Sequence, residues 1–330
     1  MKKWIILLIV ISLSSLVLAA CEMDAQPTAT PTKPPEPTQP PTAIPPTETP
    51  LPTETSTPTE PPPPTDTPTP TPEPVEESAL EPLPPEPQDF EFETEDGQVL
   101  QARYYPAAVN PAPMIVLMHW APEDQESWNE IAFWLQNRGL SGTSPNVRAV
   151  PWLDPTWFPP MLEGQSFGVL TFTFRGCEGG CSAIDPDGWL EDALMAMKTA
   201  STLEGVDPER IATFGASIGA DGSPDACGPF NAESERVCLG ALSLSPGDYL
   251  NVPYDHAVAV LEEQEPPKPV WCFYAAGDGA AAQACKSASG DHYQTLEWSE
   301  GGHGMMLIDP NIEPNAMELI LDWLNLVFEL

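Results

Sequence analysis

From residue 88 onward, short apolar runs alternate with amphipathic segments, a pattern typical of a parallel sheet flanked by helices. Strands are predicted at 114–118, 210–214, 239–244, 270–275 and 293–298. Apolar side chains at helical spacing predict helices at 127–138, 189–202 and 315–328. An Asp96-Gly97 turn between 89–95 and 99–105 predicts a hairpin of two antiparallel edge strands. The pattern therefore predicts an α/β fold with a central, mostly parallel sheet.

The first 21 residues have the pattern of an export signal. Lys2 and Lys3 precede an apolar stretch, 4–18, that is shorter than the roughly 20 residues a membrane-spanning helix needs. The small residues that follow, up to Cys21, resemble the bacterial lipoprotein cleavage box. We therefore expect Cys21 to carry lipid, and the mature protein to be extracytoplasmic and anchored to the bacterial cell membrane.

Residues 22–87 are predicted to be a disordered linker. Of the 44 prolines in the chain, 24 lie between residues 27 and 87, among threonines and glutamates with few large apolar side chains. Such a composition cannot bury enough apolar surface to offset the entropy of ordering, and it favours extended polyproline II. The remaining segment, 88–330, has the length of one α/β domain, which is the predicted catalytic domain.

The sequence Gly215-Ala216-Ser217-Ile218-Gly219 follows a predicted buried strand, as expected of a nucleophile elbow. In such a turn the serine is strained, and glycines are needed where a side chain would collide with backbone. A serine hydroxyl is a weak nucleophile unless a base removes its proton and a third group, usually a carboxylate, orients that base. The motif therefore requires partners elsewhere in the chain.

The partners should follow the serine on loops after later strands. Of the four histidines, only His292 and His303 come late enough. His303 follows the strand at 293–298 and is the predicted base, whereas His292 precedes that strand and falls at the opposite sheet edge. Asp278, after the strand at 270–275, is the predicted acid. Asp248, after the earlier strand, remains the alternative.

Two backbone amides are expected to bind the oxyanion that forms when the serine attacks. One belongs to Ile218, the residue after the nucleophile. The other comes from Trp120 or Ala121, in the His119-Trp120-Ala121 sequence that ends the strand at 114–118. His119 precedes the serine and is interpreted as a residue that braces this loop.

These motifs occur in the order found in α/β-hydrolases, and the segment from residue 89 to 330 resembles the dienelactone-hydrolase-like esterases of that superfamily. The resemblance implies an α/β-hydrolase fold and covalent acyl-enzyme chemistry. Dienelactone hydrolases use a cysteine nucleophile, so Ser217 does not carry over their particular substrate. Because Pro224 follows Gly222 and Ser223, the helix after the elbow is expected to be short.

Besides Cys21, the chain has an even six cysteines, which suits an oxidising compartment. Their short separations favour three pairs: Cys177 with Cys181, Cys227 with Cys238, and Cys272 with Cys285. Zinc is disfavoured, because there is neither a C-x-x-C pair nor a cluster of histidines. The sequence predicts no metal and, in the absence of a phosphate-binding glycine motif, no organic cofactor.

From residue 88 onward there are 37 acidic and 9 basic residues. This charge excludes nucleic acid as a partner and disfavours polyanionic substrates and anionic membrane surfaces, so neutral or cationic esters and amides are favoured. Esterase activity is the leading prediction, because the propeller domain of oligopeptidase relatives has no counterpart here. The alternatives are a serine peptidase or amidase of the same fold and a binding lipoprotein without catalysis.

Residues 139–168 form an aromatic, proline-rich insertion with the sequence Trp157-Phe158-Pro159-Pro160. Such a stiffened excursion can form a lid over an acyl pocket, or it can be a surface loop whose aromatic rings pack on the domain. The sequence does not separate these two interpretations.

Overall fold

The computed structural model describes residues 80–141, 154–233 and 236–330. Eight strands form one sheet in the order β1-β2-β4-β3-β5-β6-β7-β8. The strands are β1 Gln88–Glu93, β2 Val99–Tyr105, β3 Ala112–Met118, β4 Gly168–Phe172, β5 Val206–Ala216, β6 Cys238–Leu244, β7 Val270–Ala275 and β8 Tyr293–Trp298. Strand β2 is antiparallel to both neighbours, and the strands from β4 across to β8 are parallel. The predicted fold class is confirmed.

Helices cover both faces of the sheet. They are α1 Asn129–Gln136, α2 Pro186–Ala200, α3 Ile218–Glu233, α4 Tyr254–Glu262, α5 Gly279–Ser287 and α6 Ala316–Phe328. Buried side chains of α1 and α6 join one hydrophobic core, and those of α2 to α5 join the other. Strand β3 contributes to both cores because alternate side chains of a strand point to opposite faces. None of the helices in the described ranges is long and apolar enough to cross a membrane.

The helix after the elbow is longer than the sequence predicts, and this expectation is wrong. Helix α3 runs for 16 residues through Pro224 and Pro229. A proline removes the N–H that would bond the carbonyl four residues earlier, which for Pro224 is that of Ala220. The Ser243 hydroxyl of β6 donates to this Ala220 carbonyl at 2.7 Å, so the acceptor stays satisfied and the helix continues.

The domain begins a few residues before the predicted boundary at residue 88. The Asn110 amide donates to the Glu81 carbonyl at 2.9 Å, and the Arg138 guanidinium donates to the Leu83 carbonyl at 2.7 Å. Residues 81–85 therefore pack on the domain, although the sequence assigns them to the linker. The predicted signal with Cys21, the linker up to residue 79 and the insertion residues 142–153 lie outside the described residues.

Disulfides join the six cysteines in the three pairs that the sequence favours: Cys177–Cys181, Cys227–Cys238 and Cys272–Cys285. The first closes a turn after β4, and the second joins α3 to β6. The third joins β7 to α5 and so encloses the short loop between them. This loop carries Asp278, the predicted acid.

Candidate active site

The turn between β5 and α3 has the strained geometry of a nucleophile elbow. Ser217 has a φ of 55°, in the left-handed region that few residues other than glycine adopt. A Cβ on Gly215 would stand 1.9 Å from the Gly219 carbonyl oxygen, and one on Gly219 would stand 2.1 Å from the Met118 carbonyl oxygen. Both glycines are therefore required by close backbone contacts. They let the turn hold the serine at the carboxyl end of the sheet.

Three side chains from separate loops meet at this edge. The His303 imidazole lies with Nε2 2.7 Å from the Ser217 Oγ and with Nδ1 2.6 Å from the Asp278 Oδ2. The serine is almost buried, and the histidine and aspartate side chains are 33% and 13% exposed. This is the hydrogen-bond geometry that a catalytic triad of serine, histidine and aspartate requires. The structure thus brings together the three residues that the sequence proposes as a triad.

The other candidate residues have structural contacts. His119 is fully buried, with Nδ1 2.8 Å from the Trp120 carbonyl oxygen and Nε2 accepting the Phe174 N–H at 2.9 Å. Burial lowers the pKa of His119 to about 4, which fits the neutral ring that this pairing requires. His292 lies before β8 with Nδ1 2.9 Å from Glu262 Oε1. Neither ring takes the place of His303.

Asp248, the alternative acid, accepts the Tyr254 N–H on its Oδ1 at 2.8 Å, at the start of α4.

The predicted oxyanion donors keep their positions next to the elbow. Ile218 begins α3, and Trp120 and Ala121 follow the end of β3 after one intervening residue, His119. The Trp120 indole is buried and donates to Glu123 Oε2 at 2.9 Å, which fixes this loop beside the site. The role of these amides in binding an oxyanion stays a prediction.

Sequence reasoning missed two residues next to the triad, Asp221 and Tyr249. The Tyr249 ring stands edge-on to the His303 ring, with centroids 6.2 Å apart. Its backbone N–H donates to the buried Asp221 Oδ2 at 2.7 Å. Their positions in the sequence could have identified them. Asp221 lies one helical turn after the predicted nucleophile, and Tyr249 directly follows the alternative acid.

A second buried carboxyl lies one turn further along α3. Asp225 is 4% exposed, and both of its oxygens lack a hydrogen-bond partner among the described residues. Burial, reinforced by the charges of Asp221 and Asp248, raises the pKa of Asp225 well above its usual range. Within the described ranges, no group of three or more His, Cys, Asp and Glu side chains is arranged to hold a metal ion.

We expect Asp225→Asn to stabilise the protein at pH 8 by about 1–3 kcal/mol and to have little effect at pH 4. The folded-state pKa lies above the unfolded value, so the stability contributed by the protonated carboxyl is complete below about pH 3.9 and is lost as pH rises through the folded pKa. Urea unfolding at both pH values measures the difference. Asp255→Asn, on the exposed face of α4, is the control. A stability gain of equal size at both pH values contradicts the assignment.

The described part of the insertion packs on α1. The Trp134 indole donates to the Pro159 carbonyl at 2.7 Å, and its ring lies 5.9 Å from that of Phe158. For these residues the contacts favour the surface-loop interpretation over a lid. The lid interpretation for residues 142–153 concerns positions outside the described residues.

Comparison with known proteins gives a limited sequence match. No protein-family model matches the chain. The uncharacterized protein YfhR of Escherichia coli (strain K12) is 27% identical over 158 residues. That match covers 48% of this chain and 48% of YfhR, so the chain spans about half the length of the curated relative it matches.

Solved structures show the likeness in fold. The α/β hydrolase GrgF from Penicillium sp. sh18 aligns with a TM-score of 0.50 and 14% identity, over 75% of this chain and 100% of GrgF. The Pyrococcus furiosus esterase Pf2001 aligns with a TM-score of 0.47 and 14% identity, over 73% of this chain and 93% of the esterase. Together with the strand order and the helices on both faces, the match to GrgF shows that the described domain has the α/β-hydrolase fold.

Proposed function

We propose that this protein is an extracytoplasmic, lipid-anchored serine hydrolase that cleaves small neutral carboxylic esters through an acyl-enzyme. The observation that carries the proposal is the pair of short contacts of His303, 2.7 Å to the Ser217 Oγ and 2.6 Å to the Asp278 Oδ2. The three bridged cysteine pairs support export, since disulfides persist in oxidising compartments. The predicted lipidation of Cys21 supplies the anchor.

The proposed reaction has two halves. His303 takes the Ser217 proton while the oxygen attacks the ester carbonyl carbon, and the Ile218 amide with that of Trp120 or Ala121 binds the oxyanion. The bond to the alcohol then breaks, and the imidazolium gives its proton to the leaving oxygen. Water, deprotonated by the same imidazole, attacks the acyl-enzyme, and release of the acid restores the serine. Asp278 stabilises the positive charge on His303 throughout.

The strong negative charge disfavours anionic substrates. With 37 acidic against 9 basic residues from residue 88 onward, the domain repels polyanions before they reach the serine. The carbonyl of a neutral ester approaches without this penalty. Amides of the same shape meet the same field, so charge alone does not separate the esterase from the amidase.

We expect the chain without residues 1–21 to be labelled at Ser217 by a fluorophosphonate and to hydrolyse p-nitrophenyl esters faster than the matching anilides. A series of acyl chains from acetyl to dodecanoyl measures the preference, and Ser217→Ala is the control for both assays. Faster cleavage of the anilides supports the amidase instead. A folded protein that neither reacts with the probe nor cleaves any member supports the non-catalytic binding lipoprotein.

A further inference from the structure

The loop after β6 is held in an unusual backbone conformation beside the triad. We define the β6–α4 loop as residues 245–253. Three of its residues other than glycine have φ in the left-handed region: Ser245 at 57°, Asp248 at 58° and Asn251 at 59°. Each such residue costs free energy and persists only where surrounding contacts enforce it. The contacts that hold this loop therefore define where its side chains stand.

Asp221 supplies the central contact. Its carboxylate, 1% exposed, accepts the Gly247 N–H at 3.1 and 3.2 Å and the Tyr249 N–H at 2.7 Å. Asp221 belongs to the first turn of α3, whose start is the nucleophile elbow. The β6–α4 loop is therefore tied to the same helix that positions Ser217, and not only to the strand before it.

This tie places the Tyr249 ring beside the reacting groups. The ring meets the His303 imidazole at 79° with centroids 6.2 Å apart, and it remains partly exposed. Burial first, and then the charge of the nearby Asp278, raise the pKa of the Tyr249 phenol to about 12. The phenol is thus neutral at working pH. The Tyr249 ring therefore lies beside the same imidazole that contacts the Ser217 Oγ at 2.7 Å, on a side chain that solvent can reach.

The absence of a side chain at Gly247 makes room for the Tyr249 ring. A Cβ on Gly247 would stand 2.4 Å from the Tyr249 Cζ and 2.6 Å from its hydroxyl oxygen. The ring therefore lies directly over Gly247, and even a methyl group there would displace it. The φ of Gly247 is not among the left-handed values, so alanine at this position changes the ring's location without requiring a new backbone conformation.

We propose that Tyr249 is a substrate-contact residue whose ring binds the apolar or aryl part of the ester, and that Asp221 and Gly247 are positioning residues for that ring. The inference rests on the proposed hydrolase function and names one wall of its binding site. An aromatic ring with a neutral hydroxyl offers apolar contact area beside the reacting bond at little conformational cost.

The test is a double-mutant cycle on p-nitrophenyl butyrate with the chain lacking residues 1–21. Tyr249→Ala raises KM about tenfold with kcat within about twofold, because the lost contact binds ground and transition states alike. Tyr249→Phe stays near wild type because it keeps the ring. Asp221→Ala, which removes the acceptor of both loop amides, and Gly247→Ala each raise KM by displacing the ring, and neither raises it further when Tyr249 is already alanine.

Asp225→Ala is the matched control, because it removes the next buried carboxyl of α3, whose oxygens have no hydrogen-bond partner among the described residues. It is expected to leave KM unchanged. An unchanged KM in Tyr249→Ala overturns the substrate contact. Equal effects of Asp221→Ala and Gly247→Ala on KM, with or without the Tyr249 ring, overturn their positioning role. Calorimetric affinity for the intact ester in Ser217→Ala, with and without Tyr249→Ala, reports the same contact without turnover. This binding measurement does not depend on catalysis, so it tests the Tyr249 contact even if the proposed hydrolase activity proves wrong.

Discussion

Ser217→Ala is expected to lower kcat for a p-nitrophenyl ester by about 10⁶-fold while leaving KM within a few-fold. The Ser217 Oγ is the group that the His303 Nε2 contacts at 2.7 Å, and alanine leaves that imidazole with no proton to remove and no attacking oxygen. Substrate contacts beyond the serine are unchanged, so binding is retained. Steady-state kinetics with active-site titration of the wild type measures both constants.

The chain offers a closely matched control for this substitution. Ser245 also directly follows a parallel strand of the sheet, is buried, and has a φ of 57° against 55° for Ser217. Its hydroxyl has no hydrogen-bond partner among the described residues. Ser245→Ala therefore repeats the chemical change and the backbone environment without touching His303, and activity should stay within about twofold. Equal losses in both variants contradict a nucleophilic role for Ser217.

The sheet and the candidate triad could be predicted because they depend on local patterns. Strands β7 and β8 match the predicted bounds, since each is a compact run ended by a polar or glycine-rich turn. The triad then follows from topology, because the carboxyl ends of parallel strands meet at one edge and each partner directly follows a strand. Predicting Asp278 and His303 required only this rule and the small number of histidines in the chain.

The features that escaped prediction depend on contacts between segments distant in sequence. Helix α3 continues through Pro224 because a serine on β6 satisfies the freed carbonyl of Ala220, and no local propensity reports that partner. Tyr249 directly follows the alternative acid in the sequence, but its place beside His303 depends on Asp221, 28 positions earlier, which accepts its backbone N–H. Residues 81–85 join the domain through backbone carbonyls, which composition does not reveal.

The disulfide around the acid loop links fold and site. Cys272 lies on β7 and Cys285 on α5, so the bridge encloses the turn from which Asp278 reaches His303. Asp278 also caps α5, with its Oδ1 3.4 Å from the Ala281 N. Its carboxylate therefore has one oxygen toward the helix and the other toward the imidazole. A substitution that keeps the contact with α5 and changes only the contact with His303 separates the proposed catalytic role of Asp278 from its structural role.

Asp278→Asn provides that substitution, and we expect it to lower kcat by about 10⁴-fold. Asparagine caps helices as well as aspartate, so α5 and the thermal stability should be preserved. The amide cannot supply the negative charge that stabilises the imidazolium formed when His303 takes the serine proton. Thermal unfolding and steady-state kinetics on the same preparation separate the two effects.

Asp248→Asn decides between the two acids that the sequence left open. Asp248 accepts the Tyr254 N–H at 2.8 Å, a contact that the asparagine carbonyl oxygen reproduces. We therefore expect kcat within a few-fold of wild type, in contrast to Asp278→Asn. If the larger loss instead follows Asp248→Asn, the acid comes from the loop after β6, and His303 must reorient during turnover. The contact of 2.6 Å between the His303 Nδ1 and the Asp278 Oδ2 predicts the opposite order, because an imidazole already paired with one carboxylate has no free Nδ1 for another.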